Sequence, residues 1–325
     1  MPEAQTETIR RAIPVYARED FWIAGDGWKI RRIVWPALSA GGAMAETARG
    51  SLLFLPGRGD HYEKYLEMLD QFARQGWRVT AIDWRGQGGS GRLLVDPRIG
   101  HIDDFSTWIT DLAGFWRDWK RENPGPHVVV AHSMGGHLAM RALCEKAIDP
   151  DAVALSAPML GLHTMGLPYP LYHSLARILG ALGDPDRAAW KEGEKPGSPL
   201  NVRSKILTHD AGRYADELYW WEARPDVRLG PPSWHWVERA IASIRLLDTP
   251  GMMESVTVPV LLLATRADKL VDTGRIERAA KRLPHAELLL SGDEAAHELL
   301  READPVRNQC LQRISAFFDR QAPKI

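Results

Sequence analysis

A chain of 325 residues, 45% hydrophobic and 26% charged, has the composition of a globular protein that folds in water. Its 41 basic and 42 acidic residues nearly cancel, which argues against a nucleic-acid partner. The two cysteines, Cys144 and Cys310, are too few for a disulfide framework or a zinc ribbon, and they fit a reducing compartment. The N-terminal apolar run AIPVYA is short and broken by proline, unlike a signal-peptide core. No apolar stretch reaches the roughly 18 residues a spanning helix needs. The expected location is cytoplasmic, with peripheral contact at the inner membrane face left open.

In chain order, WKIRRIVW (28–35) predicts an early strand and AGGAMAE (40–46) a turn. SLLFL (51–55) predicts a buried strand stopping at Pro56-Gly57. Residues 62–76 place Tyr65, Leu69 and Phe72 on one helical face, with Gly76 as terminator. RVTAID (78–83) is the next strand, and 103–123 a long helix ending before Pro124. HVVVA (127–131), a helix over 134–147 and the strand AVALSAP (152–158) follow. The rhythm then breaks over about 160–250, a region rich in proline, glycine and tryptophan. It resumes with VPVLLLAT (258–265), a helix at 272–283, AELLLS (286–291) and a last helix near 304–320. Strands alternating with amphipathic helices imply an α/β fold with a mainly parallel sheet, residues 1–159 and 246–325 forming its core. The insertion at 160–245 reads as a helical cap. In it, Leu171, Leu175, Ile178, Leu179 and Leu182 share one helical stripe, which suits packing on its own domain better than contact with lipid.

HVVVAHSMGGHLAM carries the most chemistry. A strand runs straight into small residues around Ser133, and a helix follows at once, as a strand–turn–helix nucleophile elbow requires. Positions two residues away must be small for the chain to reverse; here they are Ala131 and Gly135. A simple helix cap would explain Ser133 alone, but not its flanking strand and helix.

A serine hydroxyl needs a base, and imidazole has the right pKa. In an elbow fold the acid and the histidine follow the serine in that order, each after a strand. Asp268 follows LLLAT, with Asp272 as a rival that could equally cap the next helix. His297 follows the last strand, whereas His285 precedes it and His132 and His137 flank the elbow. His61 beside Asp60 lacks a second ligand at metal spacing, so no metal and no cofactor are expected. The oxyanion of a tetrahedral intermediate needs two N–H donors, for which the backbones of Met134 and of Arg58 in LPGRGDH are the candidates.

With these residues placed, the chain resembles the monoglyceride-lipase-like branch of the α/β-hydrolases, bacterial lysophospholipases in particular. The stretches that carry this are LPGRGDHYEKY, IDWRGQGGSGRLLVDPRIGHIDDF, VVVAHSMGG, NVRSKILTHDAGRY, LLLATRADKLVD and AAHELLRE. The resemblance implies an eight-stranded sheet, a helical cap and hydrolysis of single-chain acyl esters, with Ser133, Asp268 and His297 as triad. It also implies Arg58 and Met134 as oxyanion donors. Pro56 stands where monoglyceride lipases have histidine, and Ala131 replaces the first elbow glycine. The expected partner is a small acyl ester, lysophospholipid or monoacylglycerol. A short-chain carboxylesterase, a serine peptidase and a non-catalytic ligand-binding homologue remain the alternatives, and oligomeric state is not legible.

Overall fold

The computed structural model describes residues 10–163, 182–190 and 203–323, with Leu171, Ser174, Leu175, Arg177, Ile178 and Gly180 between them. Eight strands make one sheet: β1 (Arg18–Ile23), β2 (Lys29–Trp35), β3 (Gly50–Leu55), β4 (Trp77–Ile82), β5 (His127–His132), β6 (Ala152–Ser156), β7 (Val260–Thr265) and β8 (Ala286–Ser291). Their spatial order is β1-β2-β4-β3-β5-β6-β7-β8. Strand β2 runs antiparallel to both its neighbours, and every other pairing is parallel.

Strands β3, β5, β6 and β7 are buried along their whole length, as Leu- and Val-rich strands covered on both faces must be. Each such Leu or Val contributes roughly 1.5–3 kcal/mol by leaving water. The covering helices are α1 (Leu66–Arg74), α2 (Phe105–Glu122), α3 (Ser133–Cys144), α7 (Thr273–Arg282) and α8 (Asp304–Gln321). Between β6 and β7 the insertion supplies α4 (Arg203–Leu207), α5 (Ala211–Ala223) and α6 (Trp234–Leu247). Helix α6 packs on the core through Trp236, 5.6 Å from Phe105, and through Ser243, 2.6 Å from His137.

Two expectations change. The first strand is β1, whose sequence REDFWI gave no strand signal. It is an edge strand with one neighbour, so its charged side chains sit near the surface, Glu19 paired with Arg224 and Asp20 with Arg32; Phe21 and Ile23 are half exposed, and only Trp22 packs inward on Phe115. The helix expected over 62–76 begins as a 3-10 turn, Tyr62–Tyr65, before α1; Gly76 ends it at φ +89°. The leucine stripe is not packed as expected: Leu171, Leu175, Ile178 and Leu182 are 41–62% exposed, while Leu179 lies outside the described residues.

Candidate active site

The parallel register brings the carboxyl ends of β3, β5, β6 and β7 to one rim, with Leu55 opposite Ala131 and His132 opposite Ser156. Ser133 stands at the reversal from β5 into α3 with φ +50°, a left-handed backbone that costs energy for any residue with a Cβ. The turn is so tight that a Cβ on Gly135 would lie 2.4 Å from the Leu55 and Pro56 carbonyl oxygens. Only glycine fits there. Ala131 sits within β5, fully buried, and the strand accommodates its methyl group.

His297 Nε2 lies 3.0 Å from Ser133 Oγ, and His297 Nδ1 lies 2.7 Å from Asp268 Oδ2. The other oxygen of Asp268 accepts the backbone N–H groups of Leu270 (2.8 Å) and Val271 (3.0 Å). Burial works against charge on both groups, but each stabilises the other. The Asp268 carboxyl is held below its ordinary value, and the facing carboxylate raises the His297 imidazole above its own. An imidazole so held, with Nδ1–H on the carboxylate, presents Nε2 to the hydroxyl as a proton acceptor. The rival Asp272 caps α7, its side chain accepting the Arg275 N–H at 3.2 Å.

The insertion holds the histidine loop in place. His297 N–H donates to the Ile206 carbonyl (3.2 Å) and Glu298 N–H to that of Leu207 (2.7 Å). Thr208 Oγ1 donates to the Arg301 carbonyl at 2.8 Å. The KILTHD stretch thus acts as a clamp.

On the other side, the loop after β3 is built around its own donors. Gly57 N–H is taken by Asp60 Oδ2 (3.1 Å) and Gly59 N–H by Gln87 Oε1 (2.6 Å). Between them the Arg58 N–H has no acceptor among the described residues, and neither has that of Met134 at the start of α3. Gln87 comes from the RGQGGSG loop and also reaches Met134 Sδ at 3.6 Å, so it braces both turns. That loop is glycine-rich by necessity: a Cβ on Gly88 would meet the Asp83 carboxylate at 2.3 Å.

Beneath the site lies a layer of buried charge. Lys64 Nζ bonds Asp60, Glu298 (2.8 Å) and Glu217 of α5 (3.2 Å). Arg301 pairs with Glu298, and Arg203 with Glu217 at 2.9 Å. The layer joins the loop after β3, the residue after His297 and the insertion. Asp60, His132 and Glu298 converge closely enough to suggest a metal site, but the Lys64 ammonium already contacts both carboxylates. His132, 4.9 Å from the His297 ring, is driven down to about 4 by burial and by that neighbour, so it stays neutral; its Nδ1 faces the Ser156 carbonyl at 3.2 Å. Lys64, Glu217, Glu298 and Arg301 escape a reading of the sequence, since nothing in their spacing signals contacts spanning as many as 234 residues.

Residues 46–304 match the Hydrolase_4 family, described as serine aminopeptidase, S33. The chain is 33% identical to lysophospholipase L2 of Escherichia coli over 83% of its own length and 80% of that protein's. Over 69% of this chain and 71% of the other, it is 29% identical to monoacylglycerol lipase of Mycolicibacterium smegmatis. The chain belongs to this α/β-hydrolase family. Among solved structures it superposes on a soluble variant of monoglyceride lipase from Saccharomyces cerevisiae with a TM-score of 0.75, covering 97% of each chain at 19% identity. At that identity the likeness concerns the fold, including its eight strands.

Proposed function

We propose that this hydrolase is a serine carboxylic-ester hydrolase that cleaves single-chain acyl esters, lysophospholipid or monoacylglycerol, through an acyl-enzyme. The observation that carries the reading is the unbroken relay from Asp268 through His297 to Ser133, at 2.7 and 3.0 Å. The relatives named for lysophospholipids and monoacylglycerols support the substrate class.

In the proposed reaction Ser133 Oγ attacks the ester carbonyl while His297 Nε2 takes its proton. Negative charge on the carbonyl oxygen is met by the Arg58 and Met134 N–H groups, aided by the N-terminus of α3. Collapse expels the glycerol-containing alcohol, which leaves with the proton from His297. Water, deprotonated by His297, then releases the fatty acid and restores the hydroxyl. In this reading the described part of the insertion serves as a cap over the rim. Its exposed Leu171, Leu175, Ile178 and Leu182 support contact with the lipid surface where such substrates gather. No helix among the described residues is long and apolar enough to cross a membrane.

A fluorophosphonate probe should label the wild type and spare Ser133→Ala. The variant should lose on the order of a million-fold in kcat, as loss of a nucleophilic serine does elsewhere. Fatty-acid release from monoacylglycerol and lysophosphatidylcholine tests the substrate class. Inertness on both, with turnover of a short ester, would replace this reading by that of a short-chain carboxylesterase.

A further inference from the structure

Arg58 contributes a backbone N–H to the proposed oxyanion site, but its side chain has no role in that scheme. The guanidinium turns toward the insertion, where Nη1 donates to the Gly230 carbonyl at 3.0 Å. Its central carbon, Cζ, lies 5.7 Å from the centre of the Trp236 ring. A Cβ on Gly100 would stand 3.1 Å from Nη1, so the 98–101 loop closes a third side.

Among the described residues this partly buried cation makes no ion pair. Its surroundings differ in this from those of Arg31, Arg203, Arg213, Arg224 and Arg301, each of which holds a carboxylate. Two charged groups face it. Arg203 repels it and is itself paired with Glu217; Asp60 attracts it but is committed to Lys64, Tyr65 (2.8 Å) and Gly57 (3.1 Å). Burial and Arg203 lower the guanidinium to about 10, still charged at neutral pH. A guanidinium has five donors in a planar fork, and here one meets a protein acceptor. A partly buried cation whose spare donors stay open to an incoming group, one side-chain length from the reacting carbonyl, is arranged for an anion that arrives with the substrate.

We propose that the Arg58 side chain receives the phosphodiester of a lysophospholipid, making it the residue that favours phosphate-bearing monoacyl esters over neutral monoacylglycerols. In a 1-acyl lysophospholipid, the chain from the ester carbonyl carbon to phosphorus is about as long as an arginine side chain. With the carbonyl oxygen at the Arg58 N–H, the phosphate is therefore within the span of the same residue's guanidinium when the glycerol chain runs alongside it. This rests on the reading that Ser133 cleaves such esters.

The test compares wild type, Arg58→Met and Arg58→Lys on 1-palmitoyl-lysophosphatidylcholine and 1-monopalmitoylglycerol, both as monomers. All three keep the backbone N–H, and any loss common to both substrates cancels in the ratio of their kcat/KM values. Losing charged hydrogen bonds to phosphate should lower that ratio roughly 10- to 100-fold in Arg58→Met, mostly through KM, with Arg58→Lys between. sn-Glycero-3-phosphocholine should inhibit wild type, and at least about tenfold less strongly Arg58→Met, whereas glycerol should not distinguish them. An unchanged ratio together with unchanged inhibition overturns the proposal. If wild type cleaves neither lipid, the functional reading fails instead, and phosphocholine-ester inhibition of short-ester turnover alone decides whether Arg58 binds phosphate.

Discussion

The middle of the sheet and the layer of charge beneath its carboxyl rim are both closed to water, yet different forces hold them. Val129, Leu155 and Leu262 are fully buried among other apolar side chains, and that attraction has no preferred direction. Lys64, Asp60, Glu217 and Glu298 are buried too, but each is fixed by partners at defined distances. The first region supplies stability and tolerates repacking. The second adds little net stability for its charge, because desolvation offsets attraction, but it sets the angles at which two loops and the insertion meet. Rigidity of the site therefore comes from the polar layer, and cohesion from the apolar one.

The largest expected effect would sharpen this division. Asp268→Asn should lower kcat about 10^3- to 10^4-fold while leaving thermal unfolding nearly unchanged. Burial depresses the His297 imidazole and Asp268 is the strongest of the carboxylates that raise it, so removing that charge lowers its pKa. Because the base works only when unprotonated, the acid limb of kcat/KM should move to lower pH; movement to higher pH would contradict the pairing.

Next comes Lys64→Met, which removes the cation three buried carboxylates share and leaves Asp60 with no ion-pair partner among the described residues, while Glu217 keeps Arg203 and Glu298 keeps Arg301. A loss of about 3–5 kcal/mol in stability is expected, together with a fall in kcat per folded molecule, and Glu298→Gln in the same chain should recover part of it. Full activity per folded molecule would show that the charge layer does not position the site. The smallest effect is expected in the apolar region, where Leu262→Ala should cost about 2–5 kcal/mol in denaturant titrations and leave kcat of the folded fraction intact. A catalytic loss there would break the division from the other side.

The same contrast explains what was legible in the sequence. Ser133, Asp268 and His297 each follow a short apolar strand, and the fold supplies their order, so local pattern sufficed to nominate the residues the structure brings together. Strands β3, β5, β6 and β7 were legible because burial on both faces leaves uninterrupted apolar runs, and half-buried β8, at the opposite edge, because its three leucines still form one. Strand β1 was not, because an edge strand keeps its charges. The charge layer left no local trace: Lys64, Glu217 and Glu298 lie far apart in the chain, and each reads as an ordinary surface residue until the fold encloses it. The exposed stripe around Leu175 was misjudged for a related reason, since helical periodicity gives a face but not what covers it.

Helix α5 of the insertion contributes Glu217 to Lys64, and just beyond its end Arg224 bonds Glu63 (2.9 Å) and Glu19 (2.6 Å). Asp216 also holds Arg10 and Arg11 from the start of the chain. This part of the insertion is thus not an interchangeable module. A chimera carrying a foreign segment would need a carboxylate opposite Lys64 and a guanidinium opposite Glu63, or each buried group would lose one of its partners. Swaps meant to retune substrate preference should keep residues 203–224 native and vary the remainder.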